Sequence, residues 1–206
     1  MRKLIVLSFI TLDGVMQAPG APEEDTSGDF KFGGWSVGYF DDMVGNAMGE
    51  QLGHPFDLLL GRRTYDIFAG FWPKESDETA RAINSAKKYV ASHRPVSLDW
   101  KTTIPIHGDL VEEIKKIKAE DGPELQVHGS GNLIQTLLKH DLVDEVWLKT
   151  FPVVLGTGKR LFADGAMPTG WQLVKSQVSP SGVVVASYTR AGEVKVGSFA
   201  RPDASG

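Results

Sequence analysis

The run from Glu124 to His140, continued by Asp141 to Thr150, constrains the fold more than any other part of the chain. Leu125 to His128 is short and apolar and stops at Gly129-Ser130-Gly131. Leu133, Ile134, Leu137 and Leu138 then recur at helical spacing until a second β-rich run, Val143 to Thr150. The pattern predicts strand, glycine turn, helix, strand. So short a helix would return the chain in parallel beside the strand it left. The turn would then lie on the carboxyl edge of the sheet, where ligands collect in open α/β folds. Backbone N–H groups of Ser130 to Leu133 would point outward at the helix start and suit an anion such as a pyrophosphate. The motif is incomplete as a dinucleotide fingerprint, because Ile134 stands where a third glycine is required and no acidic residue occupies the ribose register. A plain tight turn therefore stays open beside a phosphate site.

The rest of the chain narrows the function classes. Its 206 residues, 41% hydrophobic and 23% charged, suit one globular domain with a sizeable core. Residues 1–191 read as that domain and 192–206 as an edge strand or loose tail. A net charge of −4 and a pI near 5.7 argue against a nucleic-acid binder that works by backbone electrostatics, and point to a small-molecule partner. The chain has no Cys, so it has no disulfide framework and no thiolate metal site, which is compatible with a cytoplasmic protein. Its five histidines show no metal-ligand spacing, and no metal is expected. The opening Met-Arg-Lys and the apolar residues to Ile10 imitate a signal peptide. The apolar run is too short to span a membrane, so residues 2–11 read as a first core strand.

Several strand ends carry chemistry. Asp13 follows the first strand and reads either as a turn aspartate bonding its own backbone or as a substrate-orienting, proton-handling carboxylate. Residues 17–36, rich in Gly, Pro and acids, read as a long surface loop; its Phe30, Phe32 and Trp35 either close over a flat ring as a lid or pin the loop to the core. Tyr39 to Leu52 has helical periodicity. The buried strand Phe56 to Leu60 leads into Gly61-Arg62-Arg63-Thr64, where two cations would sit at the positive end of a helix dipole. An anionic ligand would reverse that cost, although arginines facing water or pairing with carboxylates remain open. Ser92-His93-Arg94 follows the strand Lys87 to Ala91 and forms another hydroxyl-plus-cation group on the same expected edge. Asp109 is placed to cap a helix from Leu110 to Lys118. Lys159 and Arg160, after Gly156-Thr157-Gly158, are basic enough to meet an anion but read as solvated turn residues. Trp171–Val178 and Gly182–Arg190 predict an antiparallel hairpin, and Val194–Phe199 an added edge strand.

Taken in order, Leu12-Asp13-Gly14-Val15, Gly33-Gly34-Trp35-Ser36, Leu59 to Tyr65, Lys88 to Ser92, Val127 to Leu133, Leu142 to Glu145 and Pro152 to Phe162 resemble the dihydrofolate-reductase-like family that includes the C-terminal reductase domain of bacterial riboflavin biosynthesis. The resemblance implies a three-layer α/β fold: a mixed, mostly parallel sheet with an antiparallel C-terminal hairpin and helices on both faces. It implies NADPH across the carboxyl edge. Leu60, Gly61, Arg62, Arg63 and Thr64, with Ser92, His93 and Arg94, would serve the adenosine ribose and its 2′-phosphate; Gly129, Ser130, Gly131, Asn132 and Leu133 would serve the pyrophosphate. Trp35 and Tyr39 would line the substrate side, with Val154, Leu155 and Gly156 near the nicotinamide and Asp13 as the catalytic carboxylate. The implied activity is hydride transfer to a C=N or C=O bond of a small heterocyclic or ribosylamino-pyrimidine-like substrate. A dinucleotide-binding module without turnover and a pterin or dihydrofolate reductase are the alternatives. A homodimer is consistent with the likeness.

Overall fold

The computed structural model describes residues 1–95, 99–164 and 166–199. Its centre is β1 (Leu4–Thr11), whose residues are almost all fully buried because the strand is covered on both faces. The chain continues through α1 (Asp42–Leu52), β2 (Phe56–Gly61), α2 (Arg62–Phe71), α3 (Glu78–Ser85), β3 (Lys88–Ala91) and β4 (Thr103–Ile106). It is completed by α4 (Leu110–Ala119), β5 (Glu124–His128), α5 (Gly131–Lys139), β6 (Glu145–Phe151), β7 (Gly170–Val178) and β8 (Val184–Gly192). The eight strands form one sheet in the order β4-β3-β2-β5-β1-β6-β8-β7. Every pairing from β4 to β6 is parallel, and β8 runs antiparallel to both β6 and β7.

Strand alternation sorts the side chains into layers. Leu4, Val6, Ile10 and Leu59 pack under Ile114 and Ile117 of α4 and Leu133, Ile134 and Leu137 of α5. On the opposite face Leu58 and Leu60 meet Tyr65 of α2 and Ile83 of α3, while Phe9 packs with Phe151 and with Val44 of α1. A buried pair, Arg2 Nη2 to Asp57 Oδ2 at 2.5 Å, joins the lead into β1 to β2, and Arg2 Nε also donates to Pro123 O at 2.6 Å. The fold is therefore the expected three-layer, mostly parallel α/β arrangement with an antiparallel C-terminal hairpin.

Three expectations are corrected. β5 and β6 do not lie side by side: β1 inserts between them, with Leu4 in register with Leu125 and Ile5 with Glu145. The most buried strand takes the middle place because there its two apolar faces are both covered. The helix predicted from Tyr39 begins at Asp42, because Asp41 caps it, its carboxylate accepting from Val44 N–H at 3.0 Å; Tyr39 closes a separate 3₁₀ turn, Val37–Tyr39. Residues 194–199 form no strand. Gly192 turns away at φ 87° and Val194, Val196 and Phe199 are exposed. The tail expected over 201–206 lies outside the described residues.

Candidate functional site

Loops at the carboxyl ends of the parallel strands converge on one cleft of about 430 Å³, open to solvent. It is lined by Gly61 to Thr64 after β2, Ser92 and His93 after β3, Gly129 to Leu133 after β5, and Met16 to Ala18 after β1. Three loop clusters far apart in sequence thus share one rim. Leu60 is fully buried in the core against Tyr65 and Ile83 and does not line the cleft. Arg94 does not line the cleft; its N–H donates to Ser92 Oγ at 3.1 Å, closing the small turn that carries His93.

The junction of two helix starts forms the floor. Ser130 is the N-cap of α5 and lies in the left-handed region at φ 62°, after Gly129 at φ 55°. Its hydroxyl does not cap the helix. Ser130 N–H donates to Thr64 Oγ1 at 3.0 Å, the two hydroxyls lie 3.0 Å apart, and Ser130 Oγ accepts from Gly61 N–H at 2.9 Å. A Cβ at Gly61 would lie 3.3 Å from Ser130 Cβ, and one at Gly129 3.3 Å from Thr64 Oγ1, so both glycines permit the close approach of the loops. First-turn N–H groups of a helix have no intrahelical acceptor, and Gly131, Asn132 and Leu133 bring theirs to the cleft.

Cations flank this floor. Arg62 Nε bonds both oxygens of Asp66 at 2.8 Å, and Nη1 donates to Pro95 O at 2.5 Å, which draws the 92–95 turn against the start of α2. Arg63 Nη2 lies 2.9 Å from Asp25 Oδ1, and Lys159 Nζ lies 2.6 Å from Asp25 Oδ2. Burial pushes the Asp25 carboxyl up, but the bonds from Lys159 and Ser27 outweigh it and hold it below the usual carboxylate range. Lys159 is therefore a residue of the cleft and not a solvated turn. Asp25 and Gln17 also belong here: Gln17 accepts from Lys159 N–H at 3.0 Å and donates to Asp25 O at 3.0 Å. The only sequence signal for Lys159 was its place after a glycine-rich strand end. Nothing local marked Asp25 or Gln17.

Asp13, Trp35, Tyr39, Val154, Leu155 and Gly156 form a neighbouring group that does not line the cleft. The Asp13 carboxylate accepts from Thr11 Oγ1 at 2.5 Å, Leu155 N–H at 3.2 Å and Gly156 N–H at 2.8 Å. The Thr11 bond above all, with the two backbone bonds, outweighs burial and lowers its pKa, so it is held as an ionised anchor for the 154–156 loop. Val154 is exposed, and Leu155 packs beside Val15 and Phe30. Trp35 and Tyr39 both meet Phe151 edge-on, at 5.3 and 6.3 Å, and Trp35 Nε1 donates to Gln17 O at 2.8 Å. Trp35 and the buried Phe30 thus pin the loop, whereas Phe32 is exposed. Gln17 couples this group to the cleft.

Beneath α1 lies a buried polar set. His128 Nε2 is 3.0 Å from Gln126 Oε1, and Lys149 Nζ bonds Gln51 Oε1 and sits 5.5 Å from the centroid of the Phe9 ring. Burial, with help from the charge of Lys149, pushes the His128 imidazole down to about 3; burial alone pushes Lys149 down to about 8. Among the described residues no group of His, Asp and Glu is arranged to hold a metal, and no helix is long and apolar enough to cross a membrane.

The fold and cleft define a dihydrofolate-reductase-like α/β domain with an anion-suited rim at its parallel strand ends. The RibD C-terminal domain model matches residues 2–185, and the chain belongs to that family. The uncharacterized protein YyaP of Bacillus subtilis is 35% identical over 192 residues, covering 91% of this chain and 94% of the relative. A Shewanella sp. PV-4 structure bearing a riboflavin-biosynthesis name is 26% identical with a TM-score of 0.66, covering 91% of this chain and 98% of the other. Enterococcus faecalis dihydrofolate reductase complexed with NADP(H) superposes with a TM-score of 0.57 at 13% identity, covering 92% and 96%, which is a likeness of fold alone. Family membership supports an oxidoreductase of this kind.

Proposed function

We propose that the chain is an NADPH-dependent reductase that transfers a hydride to a C=N or C=O bond of a small heterocyclic or ribosylamino-pyrimidine-like substrate. The observation that carries this reading is the convergence of Arg62, Ser130 and Lys159, from three separate loops, on one cleft at the strand ends. The residues present fit a dinucleotide. The α5 N-terminus and Ser130 suit a diphosphate, and Arg62 beside the Ser92–Pro95 turn suits a 2′-phosphate. Bound NADPH would supply the hydride. The chain's own contribution is then positioning and exclusion of water, with the Trp35 loop and the 154–156 loop, the latter braced by Asp13, bounding the substrate side. In this reading Asp13 shapes that loop and does not deliver the proton. The neighbouring structure complexed with NADP(H) supports the choice of cofactor, and the riboflavin-biosynthesis name of the Shewanella protein supports the substrate class.

The test is the dissociation constant of NADPH and of NADH for the wild type and for Arg62→Ala. Loss of about tenfold or more for NADPH with little change for NADH is expected, because a charge-assisted contact contributes about 1.5–3 kcal/mol. Equal losses for both cofactors would undo the 2′-phosphate assignment. Oxidation of NADPH across a panel of pterins and pyrimidine ribosides separates an enzyme from a binding module without turnover.

A further inference from the structure

The carboxylate of Asp25 is placed unusually for a surface loop residue. It belongs to the 17–36 loop, yet it lies in the cleft and is 12% exposed, between two half-exposed cations that come from α2 and from the loop after β6. Each of its oxygens takes a cation, Arg63 at 2.9 Å and Lys159 at 2.6 Å. Ser27 N–H and Oγ add bonds to Oδ1 at 3.0 and 2.6 Å, and Lys159 Nζ also reaches Ser27 Oγ at 2.7 Å. Two cations from distant segments thus hold one oxyanion in the same cleft that the α5 N-terminus lines. Arg62 stands apart, engaged with Asp66 and Pro95. Its neighbour Arg63 therefore belongs to a different charge cluster, and the expectation that both arginines serve one phosphate is divided.

We propose that Arg63 and Lys159 form a second anion station, for a diphosphate oxyanion, and that Asp25 is the chain's own competitor for it. The proposal rests on the reading that this cleft takes a phosphorylated ligand, and it goes beyond that reading by adding Lys159 and by assigning Asp25 an opposing role. A carboxylate and a phosphate present similar pairs of oxygens to a guanidinium and an ammonium, so an entering diphosphate exchanges one set of charge-assisted bonds for another. Binding at the station is then weaker than the two cations alone would give. The exchange also frees the tie between Asp25 and Arg63 that joins the 17–36 loop to α2.

Inorganic pyrophosphate and adenosine 2′-phosphate are the probes, titrated by calorimetry into wild type, Asp25→Asn, Lys159→Gln and the double variant. Asp25→Asn is expected to bind pyrophosphate about fivefold or more tighter, Lys159→Gln about fivefold weaker, and the gain from Asp25→Asn to shrink in the Lys159→Gln background. Adenosine 2′-phosphate should change little in any of them. Pyrophosphate affinity unchanged or reduced in Asp25→Asn overturns the proposal, as does an equal rise for both probes, which would mean a diffuse charge effect. Should Asp25→Asn fold poorly, Ser27→Ala loosens the carboxylate without altering any charge and should tighten pyrophosphate binding more modestly; no tightening there overturns the proposal too. If pyrophosphate fails to bind while NADPH binds, the station falls and the cofactor reading stands. If pyrophosphate responds as expected and NADPH does not bind, the reverse holds.

Discussion

Replacing Thr64 with valine probes the junction on which the cleft is built. Valine keeps the shape and removes the hydroxyl, so Ser130 N–H loses its acceptor at 3.0 Å, while Ser130 Oγ loses one partner at the same distance and keeps Gly61 N–H and His128 O. A partly buried donor left without an acceptor costs about 1–3 kcal/mol. The left-handed backbone of Ser130, at φ 62°, carries a further strain of about 1–2 kcal/mol that the Thr64 bond helps offset. A loss of about 2 kcal/mol lowers the melting midpoint of a chain this long by about 4–8 °C. Thermal unfolding followed by circular dichroism reads this directly, with Thr64→Ser as the control that keeps the hydroxyl and should melt near the wild type. Because the same bonds align the starts of α2 and α5, Thr64→Val should also weaken NADPH binding while Thr64→Ser does not. A valine variant with unchanged midpoint and unchanged affinity would show that the two loops hold their places without this hydroxyl, and the account of the cleft floor would be wrong.

Two further predictions concern the buried polar set. His128 stays neutral in the fold down to about pH 3, whereas the unfolded chain takes up that proton near 6.5. The unfolded state therefore binds more protons between those values, and stability attributable to His128 is lost as pH falls through that window, by about 2 kcal/mol at pH 5; His128→Asn should flatten the acid limb of the urea midpoint against pH. Lys149 is depressed to about 8, so its folded state is penalised whenever the amine is charged. Lys149→Met should raise stability at pH 7 by up to about 3 kcal/mol, less what the Gln51 bond and the Phe9 ring return, and the gain should fade as pH rises from 8 toward 10.5. A gain that persists at high pH would mean that packing and not charge is responsible.

Much of this structure was legible in the residues because the deciding signals were local. The apolar run of β1, the cap Asp109 and the turn Gly129-Ser130-Gly131 each state their own conformation within a few positions. The rim was legible for a related reason: glycines and cations at the ends of apolar strands fall on one edge once the strands are parallel. Spatial order was not. Nothing within Leu125 to Thr150 reveals that Leu4–Thr11 slips between its two strands, since that choice is made by burying β1 on both faces. Lys159 carries little signal of its own because its partner, Asp25, is remote in sequence and sits in a loop without periodicity. Asp13 stands out by position alone, whereas the Leu155 and Gly156 N–H groups that its carboxylate accepts from lie far along the chain and carry no local signal.

The central place of β1 has a consequence for biosynthesis. This strand leaves the ribosome well before either of the segments that will flank it, Glu124–His128 and Glu145–Phe151. A highly apolar ribbon with unpaired edges must therefore wait through most of translation, a period in which chaperone shielding matters most and in which premature termination after α4 would release an aggregation-prone fragment.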